Sequence, residues 1–161
     1  MNTFGRGLMA MLVLTIAACG FQLREARPLG KALGHVRIES ADPFSMLPQA
    51  LTRALYERGA KVASGEGASV LKIIKDEALT EPLTIGEAAR VQEYRVTLRI
   101  EFELRDASGK ELLPITRIER RRDYRFDETQ ALGASAEDER VREELRREQV
   151  YAVLRALEAV E

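Results

Sequence analysis

The fold predicted for this 161-residue chain is an α+β two-layer sandwich, with two helices packed on one face of a four-stranded sheet in the order β-α-β-β-β-α. Three observations carry that prediction. Tyr94, Val96, Leu98, Ile100, Phe102 and Leu104 alternate with Arg95, Thr97, Arg99, Glu101, Glu103 and Arg105. Strict period two over that length is a strand with one buried and one wet face. Val141, Leu145, Val150, Val153, Leu154 and Leu157 form an apolar stripe along a helix over 136–160, with Arg and Glu on its other face. Leu47, Leu51, Ala54 and Leu55 recur at helical spacing in a shorter segment. Two such helices cover one face of the sheet and leave Arg95, Thr97, Arg99, Glu101 and Glu103 on a polar second face.

The remaining elements follow from local chemistry. Val36-Arg-Ile-Glu39 alternates as a half-buried strand does. Asp42-Pro43 combines a capping side chain with a proline at a first helical position, and Gly59 stands where a helix stops, which predicts a helix over 44–58. Residues 63–68 are a Gly/Ser/Glu loop, and the β-branched run at 70–74 is a second strand. Asp106-Ala-Ser-Gly109 turns the long strand into a returning one over 111–126, closing an antiparallel hairpin. The pattern weakens at Arg120-Arg121-Arg122, which predicts a bulge or a change of exposure there.

Ahead of the domain lies a targeting segment. One positive charge, Arg6, precedes the apolar run 8–18, and the small residues Ala17-Ala18 directly precede Cys19, the only cysteine. A basic start and a short apolar core are the marks of a secretion signal. The run falls well short of the ~20 apolar residues that cross a bilayer. The segment resembles a bacterial lipoprotein signal, which implies cleavage before Cys19 and acylation of that residue. Gly20 follows where an aspartate would resemble an inner-membrane retention signal, so the outer membrane is favoured. The chain thus divides into a signal peptide at 1–18, a lipidated tether at 19–34 and a single domain at 35–161.

Composition narrows the function. Loss of Arg6 with the signal leaves 24 Lys+Arg against 26 Asp+Glu in the remaining 143 residues, which gives no reason to expect nucleic acid. With Cys19 acylated no thiol is left for a disulfide, so stability rests on the core. His35 is the sole histidine, and no HExxH, Cys/His metal spacing or phosphate-cradling glycine loop occurs. No catalytic constellation, metal site or cofactor motif is found, and a non-enzymatic protein is expected. Two features point to binding. One is the arginine density on the hairpin: Arg95, Arg99, Arg117, Arg120, Arg121, Arg122 and Arg125. The arginine fork suits phosphate and carboxylate, and opposite charges across strands, Glu101, Glu103, Glu119 and Asp123, are the competing use of the same side chains. The other is the connection 80–90, with Arg90 near its tip, at the end of a rigid sheet where contacts tend to be made.

Read together, these segments resemble the LPS-assembly lipoprotein LptE family. Cys19-Gly-Phe-Gln-Leu-Arg24 is similar to the family's mature start, Asp42-Pro43 to its helix entry, and Glu93-Tyr94 to the opening of its long strand. Pro114-Ile115 and Arg122, Tyr124, Phe126 and Asp127 resemble its returning strand, and Gln130-Ala-Leu132 with 137–139 the lead-in to its last helix. The resemblance implies an outer-membrane lipoprotein that sits inside the LptD β-barrel and helps it assemble and place lipopolysaccharide in the outer leaflet. It implies an LptD-type barrel, lipopolysaccharide and the outer membrane as partners. It also implies contacts near the tip before the long strand and near the start of the last helix. Arg90 occupies the first stretch, and 132–135 carry no basic residue. Arg90, Arg95, Arg99, Arg117, Arg120 and Arg122 are the candidate contacts to lipopolysaccharide or to the barrel lumen. A periplasm-facing lipoprotein scaffold with another partner needs the same signal and a similar sandwich.

Overall fold

Strict alternation places the long strand inside the sheet, where its apolar side can be covered by helices and its backbone paired on both sides. The computed structural model describes residues 29–62, 65, 67–85, 91–125 and 131–160. The signal segment, Cys19, Arg90 and the 126–130 motif lie outside the described residues. The elements are β1 (His35–Ser40), α1 (Met46–Glu57), β2 (Lys61–Val62), β3 (Ser69–Ile85), β4 (Val91–Arg105), β5 (Glu111–Arg125) and α2 (Ala131–Leu157), after a 3-10 turn at Lys31–Leu33. The sheet order is β2-β1-β3-β4-β5. β1 runs parallel to β2 and β3, and β3, β4 and β5 form an antiparallel meander. The architecture is the two-layer α+β arrangement, with five strands where four were predicted.

The fifth strand, β2, is two residues long and has no periodicity to read. It forms because Gly59, at φ +83°, turns the chain out of α1 in a conformation that favours glycine. The Lys61 amide then donates to Gly34 O at 2.9 Å. α1 starts at Met46 rather than 44. Asp42 Oδ1 accepts from the Phe44 amide at 3.0 Å, so Asp42-Pro43 builds a turn before the helix instead of its first turn. Pro48 sits inside that first turn, where its missing N–H costs nothing.

β3 is seventeen residues, far longer than the 70–74 segment predicted, because a bulge hides its period. Leu71 and Ile73 face the helices, opposite Leu104 and Phe102. The register shifts between Ile73 and Lys75, after which Asp76, Ala78 and Thr80 take the helix side, opposite Ile100, Leu98 and Val96. The irregularity of β4–β5 lies between Phe102 and Arg105, opposite 111–116, and not at Arg120-Arg121-Arg122, where alternation is unbroken.

The main core joins Leu47, Leu51 and Leu55 of α1, Val150, Val153, Leu154 and Leu157 of α2, and Leu71, Ile73, Ile100, Phe102 and Leu104 of the sheet. It also takes in Leu33, which is fully buried ahead of β1, with Leu29 packed against it. A smaller cluster of Val96, Leu98, Val141 and Leu145, with Tyr124 beside it, lies farther along β4.

The connections sort to two ends. Leu29, the start of β1, the end of α1, the start of β3, the turn at 106–109 and the end of α2 share the near end. There Arg58 pairs with Glu158 and the Asp106 amide donates to Lys110 O at 2.8 Å. β3 and β4 meet at the far end, as do β5 and α2. At 3.2–3.4 Å per residue, fifteen-residue β4 separates the two ends by roughly 45–50 Å.

Candidate functional site

The open face of the sheet gathers charge from three strands, and its register decides what that charge can do. Glu81, Arg95 and Asp123 form one cross-strand row, Glu77, Arg99 and Glu119 the next, and Lys75, Glu101 and Arg117 a third. Each central residue is flanked by opposite charges. Arg95 donates twice to Asp123, at 2.7 and 2.8 Å, in the two-pronged geometry of a guanidinium on a carboxylate. Arg99 lies 2.8 Å from Glu119 and 3.6 Å from Glu77. Arg117 lies 2.7 Å from Glu101, and Arg105 holds Glu103 at 2.9 Å. The hydrogen bonds from Arg95 and Arg105 hold the Asp123 and Glu103 carboxyls below the usual carboxylate range. The same pairings raise Arg95, Arg99 and Arg105. Between the first two rows runs a less charged one, Leu79, Thr97 and Arg121.

Arg120 and Arg122 lie on the other side of the sheet. From Thr116 onward the even-numbered residues of β5 face the helices, with Arg120 opposite Leu98 and Arg122 opposite Val96. Arg122 reaches up to two carboxylates of α2, Glu144 and Glu148, the latter at 2.6 Å. Arg120 donates to Glu119 O at 2.9 Å. The six candidate residues are therefore not one cluster. Arg95, Arg99 and Arg117 share the open face, Arg120 and Arg122 face α2, and Arg90 lies outside the described residues. His35 is exposed at the start of β1.

The space between α2 and the far half of the sheet is more polar than the alternating pattern of β4 predicted. Asp76 pairs with Arg146 at 2.7 Å, the two side chains retaining 11% and 18% of their exposure. Arg146 also donates to Gln149 Oε1 at 3.1 Å. Farther out, Asp138 accepts from Thr80 and from Tyr124 OH, both at 3.2 Å, and from Arg142, which also contacts Thr80. The Tyr124 ring stacks on Tyr94 with centroids 5.8 Å apart. Burial, reinforced by the Asp138 charge, pushes the Tyr124 hydroxyl up to about 12. The sequence carried one signal for this layer. Gln149 falls at the i+4 step of the stripe Val141, Leu145, Val153, a polar residue in an apolar position.

The two faces respond differently to substitution. Asp76→Ala leaves the mostly buried Arg146 without its carboxylate, and loss of one partner of such a pair is expected to cost about 3 kcal/mol in a urea melt. Arg95→Ala, on the exposed face, is expected to leave the same midpoint nearly unmoved, because exposed pairs gain little over water. Equal effects from the two would mean that the exposed ladder contributes as much to stability as the α2 contact.

Among the described residues no group of three or more His, Cys, Asp or Glu side chains is placed to hold a metal. None of their helices is long and apolar enough to cross a membrane.

Comparison with known proteins then supplies a family. The family model LptE, lipopolysaccharide-assembly, matches residues 33–157. The LPS-assembly lipoprotein LptE of Yersinia enterocolitica serotype O:8 is 26% identical over 153 residues, covering 93% of this chain and 73% of that one. Its counterpart in Photorhabdus laumondii is 24% identical over 152 residues, covering 93% and 82%. Among solved structures, lipoprotein B from Nitrosomonas europaea superposes with a TM-score of 0.71 at 25% identity, over 84% of this chain and 88% of that one. Rare lipoprotein B from Shewanella oneidensis gives 0.67 at 27% identity, over 76% and 92%.

Proposed function

The chain belongs to the LptE family, and from that premise we propose that it is a non-enzymatic lipoprotein subunit of the lipopolysaccharide translocon, seated in the lumen of an LptD-type outer-membrane barrel. In this reading the acyl chains on Cys19 hold the near end of the domain at the inner leaflet. The domain assists assembly of the barrel and fills its lumen, leaving a route for lipopolysaccharide to the outer leaflet.

The observation that carries the reading is the match between the domain's length and its surface. The roughly 45–50 Å between the two ends compares with about 40–45 Å for a bilayer with its headgroups. A domain tethered by one end therefore reaches the opposite leaflet with the other, if it stands in the lumen. Barrel interiors of this kind are polar. The compensated ladder of Arg95, Arg99, Glu101, Arg117, Glu119 and Asp123 keeps its charges hydrated or paired and can lie against such a wall without burying an unmatched ion. Ile85 and Val91, which flank the stretch containing Arg90, pair at the far end, and in this reading a departing anionic lipid passes there.

Affinity capture of the full-length protein from outer membranes, with mass spectrometry of what remains bound, tests the reading. A stoichiometric large barrel is expected. Clean capture of a different periplasm-facing assembly would instead support the scaffold reading. Arg90→Glu is expected to weaken lipopolysaccharide retention severalfold, on the order of one lost charge-assisted contact, while capture of the barrel is unchanged. Unaltered retention would remove Arg90 from the lipid route.

A further inference from the structure

The helix layer is uneven along the sheet. At the near end two helices, α1 and the last two turns of α2, cover it and bury fifteen of the described residues in one cluster. Toward the far end α2 is alone. Among the described residues, its apolar contact there is Val141 and Leu145 on Val96 and Leu98, with Tyr124 alongside. On this side of β3, Ala78, opposite the buried Leu98, is exposed, while Asp76 and Thr80 meet α2 through polar contacts.

Between the two clusters stands Gln149. It is 0% exposed, and its Nε2 donates to no group among the described residues. A buried donor left unmade is costly in a way that an exposed one is not. Its Oε1 accepts from Arg146, which in turn holds Asp76. On the far side of Gln149, the described contacts of α2 with the sheet are the Val141 and Leu145 cluster, the Arg146–Asp76 pair and a set of more exposed polar side chains. Arg122 contacts Glu144 and Glu148, and Arg142 and Asp138 meet Thr80 and Tyr124. Segments with few buried apolar contacts and polar attachments are the ones that open below the global unfolding free energy.

We propose that Gln149 divides the contact between α2 and the sheet, so that the part of α2 before it, 136–148, lifts from β4 and β5 as one unit while α2 beyond it stays packed. The sheet itself remains paired. The opened state uncovers Val96 and Leu98 and parts Arg122, Arg142 and Arg146 from at least one carboxylate or hydroxyl partner each. It thus presents an apolar floor rimmed by cations at the end of the domain away from the tether. The division belongs to this chain and requires no partner.

Thiol labelling reads the opening directly. In the full chain carrying Cys19→Ser, Val96→Cys places a single thiol on the sheet under the far part of α2, and Val153→Cys places one on the buried face of the near part of α2 itself. Both valines are buried, at 0% and 1% exposure. Under native conditions the thiol of Val96→Cys is expected to react with a water-soluble reagent at least about tenfold faster than that of Val153→Cys. About 0.5 M salt is expected to speed it further by screening the ion pairs. Adding Gln149→Leu, which joins the two clusters, is expected to slow Val96→Cys and to leave Val153→Cys nearly unchanged. Equal rates at the two positions, or no response of Val96→Cys to Gln149→Leu, would overturn the proposal. If either cysteine variant fails to fold, hydrogen exchange on the unsubstituted chain decides. A common fast rate over 138–146 with slow exchange over 150–157 supports the division. One rate along all of α2, or a smooth gradient of fraying from its start, contradicts it.

Discussion

Cys19→Ser is expected to leave the protein unprocessed, unacylated and largely absent from outer-membrane fractions. The reasoning runs from the residue to the membrane. Signal cleavage of this type creates a new N-terminus whose thiol is the acylation site, and serine offers a hydroxyl in its place. Each buried CH₂ of an acyl chain contributes ~0.8 kcal/mol of membrane affinity, and one chain alone holds a protein only marginally. In the proposed arrangement the unacylated domain keeps only its contacts with the barrel. The check is fractionation with an alkaline wash, alongside capture of the barrel. Retention of Cys19→Ser in washed outer membranes at the level of the unsubstituted protein would mean that the lipid is not the anchor.

Phe102→Ala is expected to be the most destabilising single truncation in the domain. Phe102 is 1% exposed and sits in the main core, opposite Ile73 on one side and Thr116 on the other. Truncating a buried phenylalanine typically costs 3–5 kcal/mol, the lost transfer energy plus the cavity that remains. Domains of this size hold about 5–15 kcal/mol in all, so a large share of the fold's stability is at stake. A urea melt gives the number. A loss below roughly 1 kcal/mol would mean that the site collapses around the gap and that the core is centred elsewhere.

How much of this was legible depended on whether a single periodicity ran through each segment. β4 was readable because six apolar residues alternate without a break and its partners leave that order intact. α2 was readable from the stripe through Val141, Leu145, Val153 and Leu157. β3 was half hidden: the bulge after Ile73 moves Asp76, Ala78 and Thr80 to the side that Leu71 and Ile73 occupied, so neither parity is apolar along its whole length. β2 was invisible, since Lys61–Val62 pairs only because Gly59 delivers it beside His35. The arginines were visible as residues but not as two groups. Parity along β5 separates Arg120 and Arg122 from Arg117, Arg121 and Arg125, yet a helix face carrying arginine runs against the expectation of an apolar interior. It becomes sensible only once Glu144 and Glu148 of α2 are placed above it. Gln149 was in plain view as a polar residue in the stripe, and its meaning emerged from the two clusters that it separates. The lipidation signal and Arg90 rest on sequence and family alone.

The central claim is that the domain stands lengthwise inside a barrel, and crosslinking from both of its ends tests this most directly. A photoreactive residue in place of Lys110, in the near-end turn, and another in place of Arg121, on the open face toward the far end, lie roughly 35 Å of strand apart. Both positions are exposed in the isolated domain. In intact membranes the account predicts that both crosslink to the same large outer-membrane barrel. Crosslinks from Lys110 alone, with position 121 reaching only periplasmic proteins, would show the domain hanging below the barrel and would contradict it.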